Sequence, residues 1–220
     1  MKNVKSLAGL RLEGQGEIMG STSGDSKAAQ INLKLKTKDL WFEDFWLGDA
    51  TADVTYKSGT LSFQNVEGLL NTTRYFTDVG IDLNQGTIKS EGRLGFAEAR
   101  DIQKAFSRKV TLPFEIFGNA SARLKVSGPF QFNKLSYIME SSLYRGSVGS
   151  EVFDEARFDV TSVNGRVKTD NVYLKKGSGQ ATLVGDGFPD GRIQTNIKGR
   201  GFKLEDLSLF NQNESTVSGT

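Results

Sequence analysis

Two pairs of adjacent carboxylates, Glu43 with Asp44 and Glu205 with Asp206, are the side chains of this sequence best spaced for chemistry. Neighbouring carboxyls can divide the roles of general acid and general base between them. Their contexts are alike, however: LWFEDFWL in one case and FKLEDLSL in the other. A motif that recurs in step with a structural unit marks a turn or a solvated bend more readily than two separate active sites. Asp186 and Asp190 in GDGFPDGR superficially suggest calcium. Two carboxylates fall short of the roughly six to eight oxygens that calcium prefers, so the segment reads as a plain turn. The glycine-rich stretches GQGEIMG (14–20) and GSGQATLVGDG (177–187) lack the spacing of a dinucleotide fingerprint and lead into strand-like sequence, so both read as hairpin turns. Neither histidine nor cysteine occurs. That excludes a Ser/His/Asp triad, a histidine or thiolate metal site and any disulfide. With 28 basic and 26 acidic residues and no stretch that joins Lys or Arg to aromatics, nucleic acid is not an expected partner. The expectation is a protein without catalytic residues, metal or cofactor.

The elements that would carry any site are strands. Ile31, Leu33 and Leu35 alternate with Asn32, Lys34 and Lys36, and Ala122, Leu124 and Val126 alternate with Arg123 and Lys125. The same rhythm runs through Ala52 and Val54, Val79 to Leu83, Val110 to Ile116, Ala156 to Val160, Ala181 to Leu183, and Ile193 to Ile197. Each such run predicts a strand with one apolar and one polar face. Ser58-Gly59, Gln85-Gly86 and Asn164-Gly165 are turn signals for antiparallel hairpins. One segment has the helical period instead: AEARDIQKAFSRK (97–109) places Ala99, Ile102, Ala105 and Phe106 on one stripe with charges opposite. It predicts an amphipathic helix over an open end or edge of the sheet, and divides the chain into β segments 1–96 and 110–220. The cluster of Trp41, Phe42, Phe45 and Trp46 reads as a packing corner between strands, with a ligand- or membrane-facing surface as the other reading.

The chain repeats itself. Residues 50–66, ATADVTYKSGTLSFQNV, return as residues 156–172, ARFDVTSVNGRVKTDNV, with seven identities in seventeen positions. A second echo links 30–47 to 192–209 at a different offset, which predicts related but unevenly spaced units. One-sided alternation in repeated units predicts a long apolar groove lined by Ile31, Leu33, Leu35, Ala52, Val54, Ile81, Leu83, Leu112, Phe114, Ile116, Leu124, Val126, Phe158, Val160, Leu183, Ile193 and Ile197. Such a lining, without polar anchors, suits acyl chains. The same face would equally serve as the core of a closed sandwich or β-helix. A cell-surface scaffold or adhesive solenoid with a dry core is therefore the alternative, and a β-helical carbohydrate-active enzyme is a third reading. No apolar run approaches the ~20 residues of a transmembrane helix, and MKNVKSLAGLRLEGQG lacks the apolar core of a secretory signal. The chain is expected to be an internal piece of a longer protein.

The order of these elements resembles the TamB/AsmA-like superfamily of Gram-negative envelope proteins, relatives of the bridge-like lipid-transfer proteins. The resemblance lies in residues 118–187: the glycine-bounded strand LKVSG (124–128), a variable strand pair, and then FDVTSVNGRVKTDNVYLKKGSGQATLVGDG, continued by RIQTNIKGRGFKLEDLSLF. Asn133 stands where the family often has proline. The resemblance implies an elongated, mostly antiparallel, U-shaped all-β sheet with an apolar interior and no catalytic residues. It further implies a periplasmic location, anchorage of the full-length protein in the inner membrane, phospholipid acyl chains as cargo, and an outer-membrane β-barrel as partner.

Overall fold

The computed structural model describes residues 5–7, 10–24, 30–108, 115–129 and 134–203. Its strands are β1 (Lys5–Leu7), β2 (Leu10–Ser23), β3 (Gln30–Phe42), β4 (Phe45–Lys57), β5 (Thr60–Leu70), β6 (Thr73–Asp82) and β7 (Thr87–Glu98). After helix α1 (Ala99–Ala105) come β8 (Ile116–Pro129), β9 (Ser136–Val148), β10 (Glu151–Val163), β11 (Arg166–Lys176), β12 (Gly179–Gly187) and β13 (Ile193–Arg200). All thirteen strands form one sheet in sequence order, each antiparallel to its neighbours. Among the described residues the fold is an all-β, elongated and open sheet, groove-like in shape, with one short helix. Short turns between long alternating strands dictate this meander, because an antiparallel pair needs only a tight connection. The turns fall alternately on two rims. One carries residues 43–44, 71–72, 149–150 and 177–178, and the other 58–59, 83–86, 164–165 and 189–191.

Register shows the molecule to be built twice. Leu33 lies opposite Val54, Val54 opposite Phe63, and Phe63 opposite Val79. At a shift of 106 residues, Met139 lies opposite Val160, Val160 opposite Thr169, and Thr169 opposite Gly185. The irregularities recur as well. Ser58 and Gly59 turn the β4–β5 hairpin at φ 50° and 81°, and Asn164 and Gly165 turn β10–β11 at φ 52° and 76°. Two successive left-handed residues are what a two-residue hairpin matched to strand twist requires. A bulge separates Phe63 from Val66 on β5 and Thr169 from Val172 on β11. Asp39 and Arg145 are both left-handed, at φ 50° and 47°. Strands β2–β7 and β8–β13 are thus two copies of one six-stranded unit, with α1 at their junction. The offset drifts by a residue or two, from 104 at β2 (Gly20 to Leu124) through 106 at β3 (Leu33 to Met139) to 105 at β7 (Ser90 to Thr195), whereas the second sequence echo matches β3 to β13, which hold different places in their units.

Three local expectations need correction. The helix is shorter than 97–109: β7 runs on to Glu98, and the helix ends at Ala105 with Phe106 as its C-cap. Its charged side is not all solvated, since Asp101 is only 5% exposed. Residues 14–20 lie within β2 rather than in a hairpin turn, because Gly16 and Gly20 pair with Thr37 and Leu33 in the ladder to β3, and of 177–187 only 177–178 turn, since Gly179–Gly187 is strand β12.

Asp101 explains the seat of the helix. Its Oδ2 accepts hydrogen bonds from the Thr72 N–H (3.1 Å) and hydroxyl (2.9 Å) and from the Thr73 N–H (3.0 Å) and hydroxyl (2.9 Å). Oδ1 accepts from Asn71 Nδ2 at 3.1 Å. Burial alone would raise the Asp101 pKa; the hydrogen bonds from Thr73, Asn71 and Thr72 outweigh it and hold the carboxyl below its ordinary value. The helix is thereby latched to the β5–β6 turn. Ala105 joins Trp46, Leu70 and Tyr75 in one buried cluster, and Ala99 joins Leu143, Phe153 and Ala156 in another.

Candidate functional site

Side chains directly opposite one another in a ladder share a face, and so do residues two apart along a strand. One row can be followed across twelve strands: Gly20, Leu33, Val54, Phe63, Val79, Ser90, Val126, Tyr137, Ser162, Val167, Gly187 and Ile193. Parallel rows run beside it. Ile31, Tyr56, Leu61, Ile81 and Ile88 form one in the first unit. Ala122, Ser141, Phe158, Val172, Leu183 and Ile197 form another in the second. Leu35 and Ala52 face each other beside the long row, and Leu124 reaches Val160 through Met139. These rows place thirteen of the seventeen named positions on one face. Leu83 packs beside that face in the cluster around Ile81, and Ile116 packs in the cluster of Leu143 and Phe153. Leu112 and Phe114 lie outside the described residues, as do Glu205 and Asp206.

The face is concave. Val54 and Ile81 are 6% and 3% exposed, and the cluster they form with Ala52 and Leu61 draws only on side chains of β3–β7 and the Leu83 turn. Among the described residues no strand packs on a strand beyond its sequence neighbours, apart from weak contacts, and the helix touches β4, β5, β7 and β8. Burial without a covering layer means that the sheet curls its apolar side chains toward one another. The opposite face carries the charges, with Lys125 paired to Glu91 at 3.1 Å and Arg166 to Asp186 at 2.9 Å, alongside the exposed Met19, Ile138, Val163 and Val184. Two shallow depressions, one around Lys34 and Asp53 and one around Glu140 and Lys168, sit on that polar side.

The residues suspected of chemistry are braces. Arg11 donates its N–H to Glu43 Oε1 at 2.8 Å, accepts from the Glu43 N–H at 2.8 Å, and pairs its guanidinium with Asp44. Asp186 Oδ1 accepts two bonds from Arg166, while Asp190 holds the Arg192 backbone N–H and Nε. The aromatic cluster lies beneath α1 and the turn after it: Trp41 and Trp46 have centroids 6.4 Å apart, Lys104 sits 4.0 Å from the Trp46 ring, and Arg108 sits 3.6 Å from the Trp41 ring. It forms a corner of the rim. Among the described residues no helix is long and apolar enough to cross a membrane.

Several side chains of the concave face escape simple alternation, among them Val66, Val172 and Leu174. The bulges at 63–66 and 169–172 reverse the period within β5 and β11, so residues of opposite parity share the face. The repeated Asn65 and Asn171 were the available signal: Asn65, at φ 51°, takes the left-handed conformation that asparagine tolerates. Asp101 carried no such signal, because its partners come from a turn about thirty residues away.

No protein-family model matches this chain, and neither a curated protein nor a solved structure shows significant similarity to it.

Proposed function

We propose that this chain is a segment of a non-enzymatic phospholipid conduit of the Gram-negative periplasm, carrying acyl chains along the concave face between inner and outer membranes and cooperating with an outer-membrane β-barrel. The observation that carries this reading is the continuous row from β2 to β13 on a concave face, apolar or glycine at every place except Ser90, Tyr137 and Ser162. With neighbouring strands ~4.8 Å apart, that row extends for about 50 Å. At ~0.8 kcal/mol per methylene removed from water, a chain of about sixteen carbons would gain on the order of 12 kcal/mol before the costs of ordering. Area alone then holds the lipid, and the head group contributes little to selection. Photo-crosslinking residues placed at Leu124 or Phe158, on the apolar rows, are expected to capture phospholipid. The same groups at Arg123 or Asp159, on the polar face, are expected not to. Equal labelling of the two faces would refute the reading.

The burial of Val54 and Ile81 favours a second reading, a scaffold whose concave face packs on itself and stays dry. Native mass spectrometry of gently extracted protein separates the two: the conduit carries phospholipid, and the scaffold carries none.

A further inference from the structure

The duplicated register also specifies what fits the free edge of β13. In the first unit the equivalent strand, β7, is covered by β8, with Ile88 opposite Gly128, Ser90 opposite Val126, Gly92 opposite Leu124 and Leu94 opposite Ala122. Each of these pairs joins a smaller residue to a larger one. Strand β13 holds the place of β7 in the second unit but ends the sheet among the described residues. Its inward side chains Ile193 and Ile197 are 76% and 64% exposed. At the other end, β2 holds the place of β8. There, among the described residues, β1 covers only Leu10 and Arg11, and Ile18 is 61% exposed. Three of the most exposed large aliphatic side chains therefore sit on the two ends of the sheet.

We infer that β13 is a receptor for the β2 strand of a second copy of this chain, joining protomers head to tail into one continuous sheet. Ser90 and Thr195 pair with the equivalent residues Val79 and Gly185, and Gly20 and Leu124 with the equivalent residues Leu33 and Met139, so transferring the β7–β8 register puts Ile193 opposite Gly24, Thr195 opposite Thr22, Ile197 opposite Gly20 and Gly199 opposite Ile18. Small again meets large at three of the four places. The pair of Ile193 with Gly24 repeats that of Ile88 with Gly128, and both glycines have positive φ, 94° and 133°. At the other two the sense is reversed, so the match is not simply inherited residue by residue. On the polar face, Arg93 opposite Arg123 becomes Lys198 opposite Met19, which removes a like-charge pair. Arg200 comes alongside Glu17. The interface is heterologous, so it adds protomers without closing. Each protomer continues the concave row by twelve strands.

The inference rests on the duplicated register and not on the lipid reading, so its test uses delipidated protein. The chain has no cysteine, which makes an introduced pair unambiguous. Directly opposite residues lie close to the span of a disulfide. In the full 220-residue chain, Thr22→Cys with Thr195→Cys is expected to give, on oxidation, a ladder of dimers, trimers and longer species on a non-reducing gel. Ser21→Cys with Thr195→Cys, one residue out of phase and on opposite faces, is expected to give no ladder. Each single-cysteine variant is expected to give none either. Absence of crosslinked species, dimers alone, or equal ladders from the in-phase and out-of-phase pairs would each overturn the inference.

Discussion

Replacing Asp101 should unfasten the helix from the β5–β6 turn, and the size of the effect follows from what its carboxylate holds. Thr73 is fully buried, and both its N–H and its hydroxyl donate to Asp101 Oδ2, at 3.0 and 2.9 Å. The Thr73 hydroxyl also accepts the Glu98 N–H at 2.9 Å, so the strand end leading into α1 belongs to the same network. Asp101→Ala strands two buried donors at about 1–3 kcal/mol each, for a loss of about 2–6 kcal/mol; the Thr72 groups are exposed and can turn to water. Asp101→Asn keeps an oxygen for Thr72 and Thr73 and can face its amide toward Asn71, whose own amide can flip to accept. It forfeits charge assistance and should cost about 1–2 kcal/mol. Hydrogen exchange at the Thr72 and Thr73 amides reads this locally: roughly 30-fold to about ten-thousand-fold faster in the alanine variant and about tenfold in the asparagine variant. The folded-state pKa of Asp101 is depressed, so its stabilisation is present above the unfolded value near ~4 and is lost as pH falls through the lower folded value. The offset between wild type and Asp101→Asn should be constant from about pH 5 to 8 and close in stronger acid. An alanine variant within ~0.5 kcal/mol of wild type, or an offset that closes as pH rises, would refute the reasoning.

Gly68 lies directly opposite Tyr75, and a Cβ there would fall 2.0 Å from the Tyr75 ring. Gly68→Ala should therefore cost about 1–3 kcal/mol through overpacking, measured by urea unfolding, and no loss would mean that the ring has room to move. Burial pushes the Tyr75 pKa up to about 12, while its hydroxyl donates to the Leu47 carbonyl at 2.8 Å. Because the unfolded phenol ionises near ~10, stability should fall from about pH 10 toward 12, and Tyr75→Phe should remove that part of the alkaline decline; an unchanged alkaline profile in the variant would contradict it.

What was legible in the sequence tracks how tightly each position is constrained. The hairpins β4–β5 and β10–β11 announced themselves through seven shared residues, because a two-residue turn needs Gly59 and Gly165 in left-handed geometry and because Asn recurs at the bulge. The equivalence of β6 with β12 left no identity, and that of β2 with β8 only Gly14, Ser23 and Gly24 against Gly118, Ser127 and Gly128, since a strand in a ladder asks only for an apolar residue at every second place. Alternation accordingly found the strands and set the phase of Ile31, Leu33, Phe158 and Val160. It lost phase wherever a bulge added a residue. The match of β3 to β13 shows the converse failure: two strands that run in the same direction with the same facing pattern look alike without being equivalent. Asp101 was illegible for another reason. A helical wheel assigns a charged residue to solvent, whereas only the fold brings Asn71, Thr72 and Thr73 beneath it.

Glycine has a different job here from the one its frequency implies. Of the 25 glycines, those at 59 and 165 serve turns, but Gly16, Gly20, Gly68, Gly92, Gly146, Gly185 and Gly199 lie within strands on the concave face. Side chains on a concave face converge, so two large residues directly opposite would hold the sheet open. Pairing Gly20 with Leu33, Gly92 with Leu124, Gly68 with Tyr75 and Gly146 with Phe153 removes one of the two each time and lets the larger lie over its partner's backbone. Glycine within a strand ordinarily weakens it. In this sheet the cost is offset by curvature, because the larger partner covers the glycine and the wall bends inward at that pair. The groove is thus written into the small members of its rows as much as into the apolar ones. A unit specified in this way can be lengthened by repetition without a new site being made at each copy.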